Sequence, residues 1–100
     1  MVKHIIIWKL KDEFSDCEKA DIKKGIKSSL EALMGVVPGL LDIKVITSPL
    51  LGSNGDVMLD STFENEQALH EYASHPAHVA VADNFVCPYT ATRSCMDFEI

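Results

Sequence analysis

Large apolar side chains follow one another from Val2 to Leu10 with the period of two that a strand imposes on its faces. Val2, His4, Ile6, Trp8 and Leu10 share one face; Lys3, Ile5, Ile7 and Lys9 share the other. Because both faces are apolar in the middle, this strand is expected to be covered twice, by helices on one side and a second layer on the other. Ser15-Asp16-Cys17-Glu18 then has the spacing of a capping box, in which hydroxyl and carboxylate satisfy the free amides of a helix start. Ala20, Ile22, Ile26, Leu30, Leu33 and Met34 form the buried stripe of the helix that follows, and Gly35 ends it. Gly25 inside that helix costs about 1 kcal/mol relative to Ala, which implies either close packing or tolerance.

Leu40 to Thr47 reads as a second strand, with Leu41, Ile43 and Val45 alternating against Asp42 and Lys44. Pro49, Gly52, Asn54 and Gly55 make the next segment a loop. The third strand runs from Asp56 to Phe63, with Val57, Leu59, Ser61 and Phe63 on one face. Asn65 is placed to cap a short helix through Ala68, Leu69 and Tyr72, and Pro76 then opens a second helix reaching about Asn84. A last strand is expected near Arg93 to Ile100, where Arg93, Cys95, Asp97 and Glu99 alternate with Ser94, Met96, Phe98 and Ile100. The order β-α-β-β-α-β, with its second helix broken, is that of a ferredoxin-like α+β domain spanning residues 1–100. The open face of its antiparallel sheet needs a cover, and a second copy of the same sheet is the economical one.

Composition sharpens this picture. One hundred residues fit a single domain. With 15 acidic and 9 basic residues the net charge is −6, which argues against nucleic acid and anionic membranes as partners. No apolar run approaches the roughly 18 residues of a membrane span, and the N-terminus lacks the long apolar core of a signal peptide. A cytoplasmic location is therefore expected. The chain is 47% hydrophobic with a mean hydropathy of +0.08, high for so short a chain, so part of the apolar content is assigned to a subunit interface. Cys17, Cys87 and Cys95 form an odd set without paired spacing, which suits free thiols in a reducing compartment.

Several segments together resemble the stress-responsive dimeric α/β-barrel (Dabb) family. They are the opening Val2-Lys3-His4-Ile5-Ile6-Ile7-Trp8-Lys9, then Val37-Pro38-Gly39, Thr62-Phe63-Glu64, Tyr72-Ala73-Ser74-His75-Pro76-Ala77-His78-Val79 and Asp97-Phe98-Glu99. The likeness covers nearly the whole chain in the right order. It implies a ferredoxin-like protomer paired sheet to sheet with a second one in a homodimeric α/β barrel. It does not imply one reaction, since the family includes plant stress proteins, a polyketide cyclase and many bacterial proteins.

His70, His75 and His78 lie within nine residues, and a histidine exchanges protons near neutrality. His78 is the candidate general base, Tyr72 its hydrogen-bonding or acid partner, and Asp97 the group that would orient His78 by accepting its other N–H. Resemblance to the family's plant polyketide cyclase adds His4 and His75 to this set. That cyclase carries a histidine where this chain has Val57, and a tyrosine on the first helix where the nearest match is Leu30. Val57, Phe63 and Trp8 are accordingly expected to line the substrate pocket. Structural readings stand beside these: His75 as a helix cap, His70 as a solvated residue, His4 as a hydrogen-bonded interior histidine, Trp8 and Phe63 as core. His75, His78 and His4 lack the carboxylate or thiolate that would complete a metal site, so neither metal nor other cofactor is expected. Leu51 to Gly55 lacks the spacing of a phosphate cradle. Two functions follow. The first is binding of a small hydrophobic or aromatic molecule in a barrel pocket, with cofactor-free proton transfer of cyclase or isomerase type. The second is a non-enzymatic, stress-related oligomer with structural histidines.

Overall fold

The computed structural model describes residues 1–100. Strand β1 (Val2–Leu10) is followed by helix α1 (Asp16–Glu31), strands β2 (Leu40–Ile46) and β3 (Val57–Phe63), helices α2 (Glu66–Ser74) and α3 (Pro76–Val81), a π-helical turn (Ala82–Val86) and strand β4 (Thr90–Glu99). The strands form one antiparallel sheet in the order β2-β3-β1-β4, with the helices on one face. This is the ferredoxin-like arrangement that the sequence predicts.

The two faces of β1 separate as its alternation requires. Val2, His4, Ile6, Trp8 and Leu10 are buried beneath the helices, whereas Ile7 is 42% exposed on the open side. On that open side Ile5 pairs with Met96 and Ile7 with Met58, an apolar patch crossed by the Lys3–Asp60 ion pair. Beneath the helices, Ile26 and Leu30 from α1 pack with Leu59, Phe63 and Tyr72 in a single core.

The largest departures from the sequence reading are at one helix end, one strand register and one strand start. Helix α1 stops at Glu31, where Ala32 caps it; Leu33 is buried from the turn beyond, and Ala20 and Met34 are exposed. A register shift between Leu40 and Asp42 puts Leu40, rather than Leu41, on the buried face of β2. Strand β4 begins at Thr90, three residues before the expected Arg93, because its pairing with β1 continues past a second register shift at Lys9 and Leu10.

Local chemistry explains the rest. Ser15 and Glu18 form the capping box, and the paired amide holds the Glu18 carboxyl below its usual range. Gly25 faces the Phe85 ring, and an added Cβ would meet it at 3.4 Å, an ordinary contact, so the helix interior glycine is tolerated rather than required by packing. Glu31 accepts from the Val45 amide at 2.9 Å and from Lys27, whose ammonium also reaches the Val45 carbonyl. This clamp covers the β2 edge of the sheet. The β4 edge has no such cover.

Candidate functional site

A pocket of about 620 Å³ opens between the helix-facing side of β1 and β4 and the segment running from α2 to the π-helical turn. Thirteen of its 21 lining residues are hydrophobic, a lining suited to a mostly apolar organic ligand. Register dictates which β4 side chains enter it. His4 lies opposite Asp97, Ile6 opposite Cys95 and Trp8 opposite Arg93, and directly opposed residues point to the same face of a sheet.

Of the residues singled out in the sequence, His4, Trp8, Tyr72, His78 and Asp97 meet around this pocket. His75, Val57 and Phe63 do not line it. His75 caps α3: its Nδ1 accepts from the Ala77 amide at 3.1 Å. Val57 and Phe63 are 2% and 0% exposed and belong to the core. The pocket is also on the opposite side of the sheet from the one a barrel interior would occupy, under the helices of a single protomer.

Tyr72 is the centre of the arrangement. Its ring is 4.1 Å from that of His78, 4.9 Å from Phe63 and 6.0 Å from His4, centroid to centroid. It is 1% exposed, and its hydroxyl has no hydrogen-bond partner in the protein. A buried hydroxyl left unpaired costs about 1–3 kcal/mol. Burial raises the phenol well above its ordinary pKa, with Arg93 opposing the effect only partly; Tyr72 is a donor rather than a phenolate.

His78 stands half-buried beside it. Desolvation lowers its pKa, a bond to the Ala73 carbonyl opposes the shift, and the Arg93 charge adds to it. The ring is therefore neutral at physiological pH. A carbonyl can only accept, so the 3.3 Å contact between Nδ1 and the Ala73 oxygen puts the proton on Nδ1 and the lone pair on Nε2. That is the form a general base requires.

Asp97 serves a different histidine from the one expected. Its Oδ1 lies 2.5 Å from His4 Nδ1, so the carboxylate orients His4, while the backbone of α2 orients His78. Cys95 sits beside this pair, its Sγ 3.5 Å from Asp97 Oδ1 and 3.8 Å from His4 Nδ1. Burial and the Asp97 charge raise its pKa, so it is a thiol. His4, Cys95 and Asp97 present donors within 4.8 Å of one another, a set a borderline divalent ion accepts; His4, His75 and His78, the trio weighed from sequence, are not brought together. Arg93, Cys95, Leu30 and His70 also line the pocket. His70 does so from an exposed position. For Arg93 and Cys95 the signal lay in the sequence: they alternate in step with Asp97.

Fold and pocket together define a ferredoxin-like α+β protein with a cavity of small-molecule size beneath its helices. The chain matches the Stress responsive A/B Barrel Domain (Dabb) over residues 2–100 and belongs to that family. Among its relatives is olivetolic acid cyclase of Cannabis sativa, 29% identical over 85 residues that cover 82% of this chain and 80% of the enzyme. A dimeric protein of ferredoxin-like fold from Bacteroides fragilis superposes with a TM-score of 0.92 at 31% identity, over 99% of this chain and 95% of the other. A hydroxynitrile lyase from Passiflora edulis superposes with a TM-score of 0.79 at 17% identity, over 99% and 92%; that likeness is one of fold.

Proposed function

We propose that this protein binds a small, mostly apolar organic molecule in the pocket under its helices and catalyses cofactor-free proton transfer on it. The observation that carries this reading is the pairing, at the wall of an apolar pocket, of a neutral histidine, His78, with the buried, unpartnered hydroxyl of Tyr72. His78 Nε2 would take a proton from carbon or oxygen next to a carbonyl, and the Tyr72 hydroxyl would hydrogen-bond the oxyanion that develops. Returning the proton elsewhere on the skeleton completes an isomerisation; attack of the carbanion on a second carbonyl closes a ring. The kinship with a named cyclase supports this class of chemistry.

The working unit of this reading is a homodimer, in which a second copy covers the apolar open face of the sheet. Dimeric structural relatives support it. Each protomer carries its own pocket on the other side.

The base can be tested without knowing the substrate. Elimination of 5-nitrobenzisoxazole reports a general base in an apolar pocket. The protein should accelerate it over buffer by about a hundredfold or more, with a rate that rises through a pKa below 6.5, the ordinary histidine value, and then levels. His78→Ala should abolish the acceleration. Equal rates in the parent and His78→Ala would overturn the assignment and favour the non-enzymatic reading.

A further inference from the structure

We infer that the ligand of this pocket is a monoanion, and that Arg93 selects it by receiving a carboxylate; this rests on the reading of the pocket as a ligand site. Arg93 is the one Lys or Arg among the lining residues. It stands opposite Trp8 in the β1–β4 register. None of the ion pairs, Lys3–Asp60, His4–Asp97 and Lys27–Glu31, uses it. The nearest acid on its own face of β4 is Asp97, two strand positions beyond Cys95, and that carboxylate is committed to His4. An exposed guanidinium without a carboxylate partner, at the mouth of a mostly apolar cavity, is a receptor for an anion.

The remaining charge of the pocket gives the ligand a direction. Glu66 and Glu99 line the pocket too, and Glu99 lies opposite Val2 whereas Arg93 lies opposite Trp8. Six strand positions separate the two, roughly 20 Å at ~3.4 Å per residue. An anionic head is therefore drawn to the Trp8 end and repelled from the Val2 end, with the Tyr72 hydroxyl and His78 between. A single planar fork, with no lysine and no second arginine beside it, matches a carboxylate, which accepts two parallel N–H bonds; a phosphate dianion calls for more donors. The substrate class is thus an apolar or aromatic carboxylic acid carrying a further oxygen along its skeleton.

Trp8, the single tryptophan of the chain, lies next to Arg93 across the strands and reports the event. Its fluorescence would be titrated with 4-phenylbutanoate and with the isosteric neutral 4-phenylbutanamide at pH 7.5. The carboxylate should bind the parent protein about tenfold more tightly than the amide. Arg93→Gln should erase that preference, with a circular dichroism spectrum like the parent's showing that the variant is folded. Arg93→Lys should recover part of it, having the charge without the fork. Equal binding of acid and amide by the parent, or a preference that survives Arg93→Gln, would overturn the inference while leaving the pocket reading intact. If neither probe bound, both would fall.

Discussion

Four histidines in one small chain take four different states, and the differences come from what each ring nitrogen touches. His4 Nδ1 is held by Asp97, His78 Nδ1 by a backbone carbonyl, and His75 Nδ1 accepts an amide; His70 is exposed at the pocket rim. His75 is therefore a structural residue, in spite of its place in the His-Pro-Ala-His segment. Replacing it with Ala should cost about 1 kcal/mol, the usual worth of an N-cap. His75→Asn, which keeps an acceptor for the Ala77 amide, should recover most of that, and neither change should alter the elimination rate at saturating probe. Urea denaturation and the rate assay together check this. Unchanged stability with a lost rate would instead make His75 part of the site. Why sequence alone misassigned Asp97 is also a matter of single contacts. Alternation places Asp97 on the correct face of its strand, but which histidine it meets depends on the His4–Asp97 register, and register is settled by the pairing of strands distant in the chain.

At the level of elements, the periodic segments were the legible ones. Strand β1 has the bounds its alternation predicts, and the capping box marks the start of α1, because both signals are local. The start of β4 was missed because Thr90-Ala91-Thr92 carries no large alternating side chains; its pairing with Lys9 and Leu10 draws it into the sheet. The junctions around Pro38-Gly39 carry a different kind of information. Gly35 and Gly39 both have positive φ, 84° and 81°. An added Cβ at Gly35 meets nothing, whereas at Gly39 it would fall 2.5 Å from the Ala68 Cβ of α2. Gly39 also accepts from the Glu64 amide at 2.9 Å, so it seats the start of the segment that carries Tyr72. Gly35→Ala should lose about 1–2 kcal/mol from left-handed backbone alone. Gly39→Ala should lose clearly more, and should also weaken 4-phenylbutanamide binding by displacing α2. Similar losses for the two in urea denaturation would contradict this account of the junction.

For the whole molecule, the surplus of apolar side chains resolves into two surfaces on opposite sides of one sheet. Beneath the helices they form the core and the pocket wall; on the open face, Ile7 and Met96 remain 42% and 66% exposed. The hydropathy of the sequence implies a second covered face but does not tell which of the two holds the pocket. No helix is long and apolar enough to cross a membrane. Sedimentation at micromolar concentration should give twice the 11.0 kDa chain mass, and Met96→Asp, which sets a charge opposite Ile5 in that face, should shift the protein towards monomer. A parent that sediments as a monomer would contradict the barrel.

Histidine side-chain nitrogen NMR distinguishes a working site under the helices around His78 from one on the open face. Titrated with acid, His78 should hold its proton on Nδ1 and gain a second one only below pH 6.5. The sign has a consequence for folding. Because the folded protein binds that proton less readily than the unfolded chain, the contribution of His78 to stability is full above 6.5 and falls as the pH drops through the lowered value. Addition of 4-phenylbutanamide should move the His78 and His4 signals and lower the apparent pKa of His78 further, while the methyl signals of Met58 and Met96 on the open face stay in place. A His78 that titrates at 6.5 and ignores the probe, with the Met58 and Met96 methyls shifting instead, would place the site on the other side of the sheet.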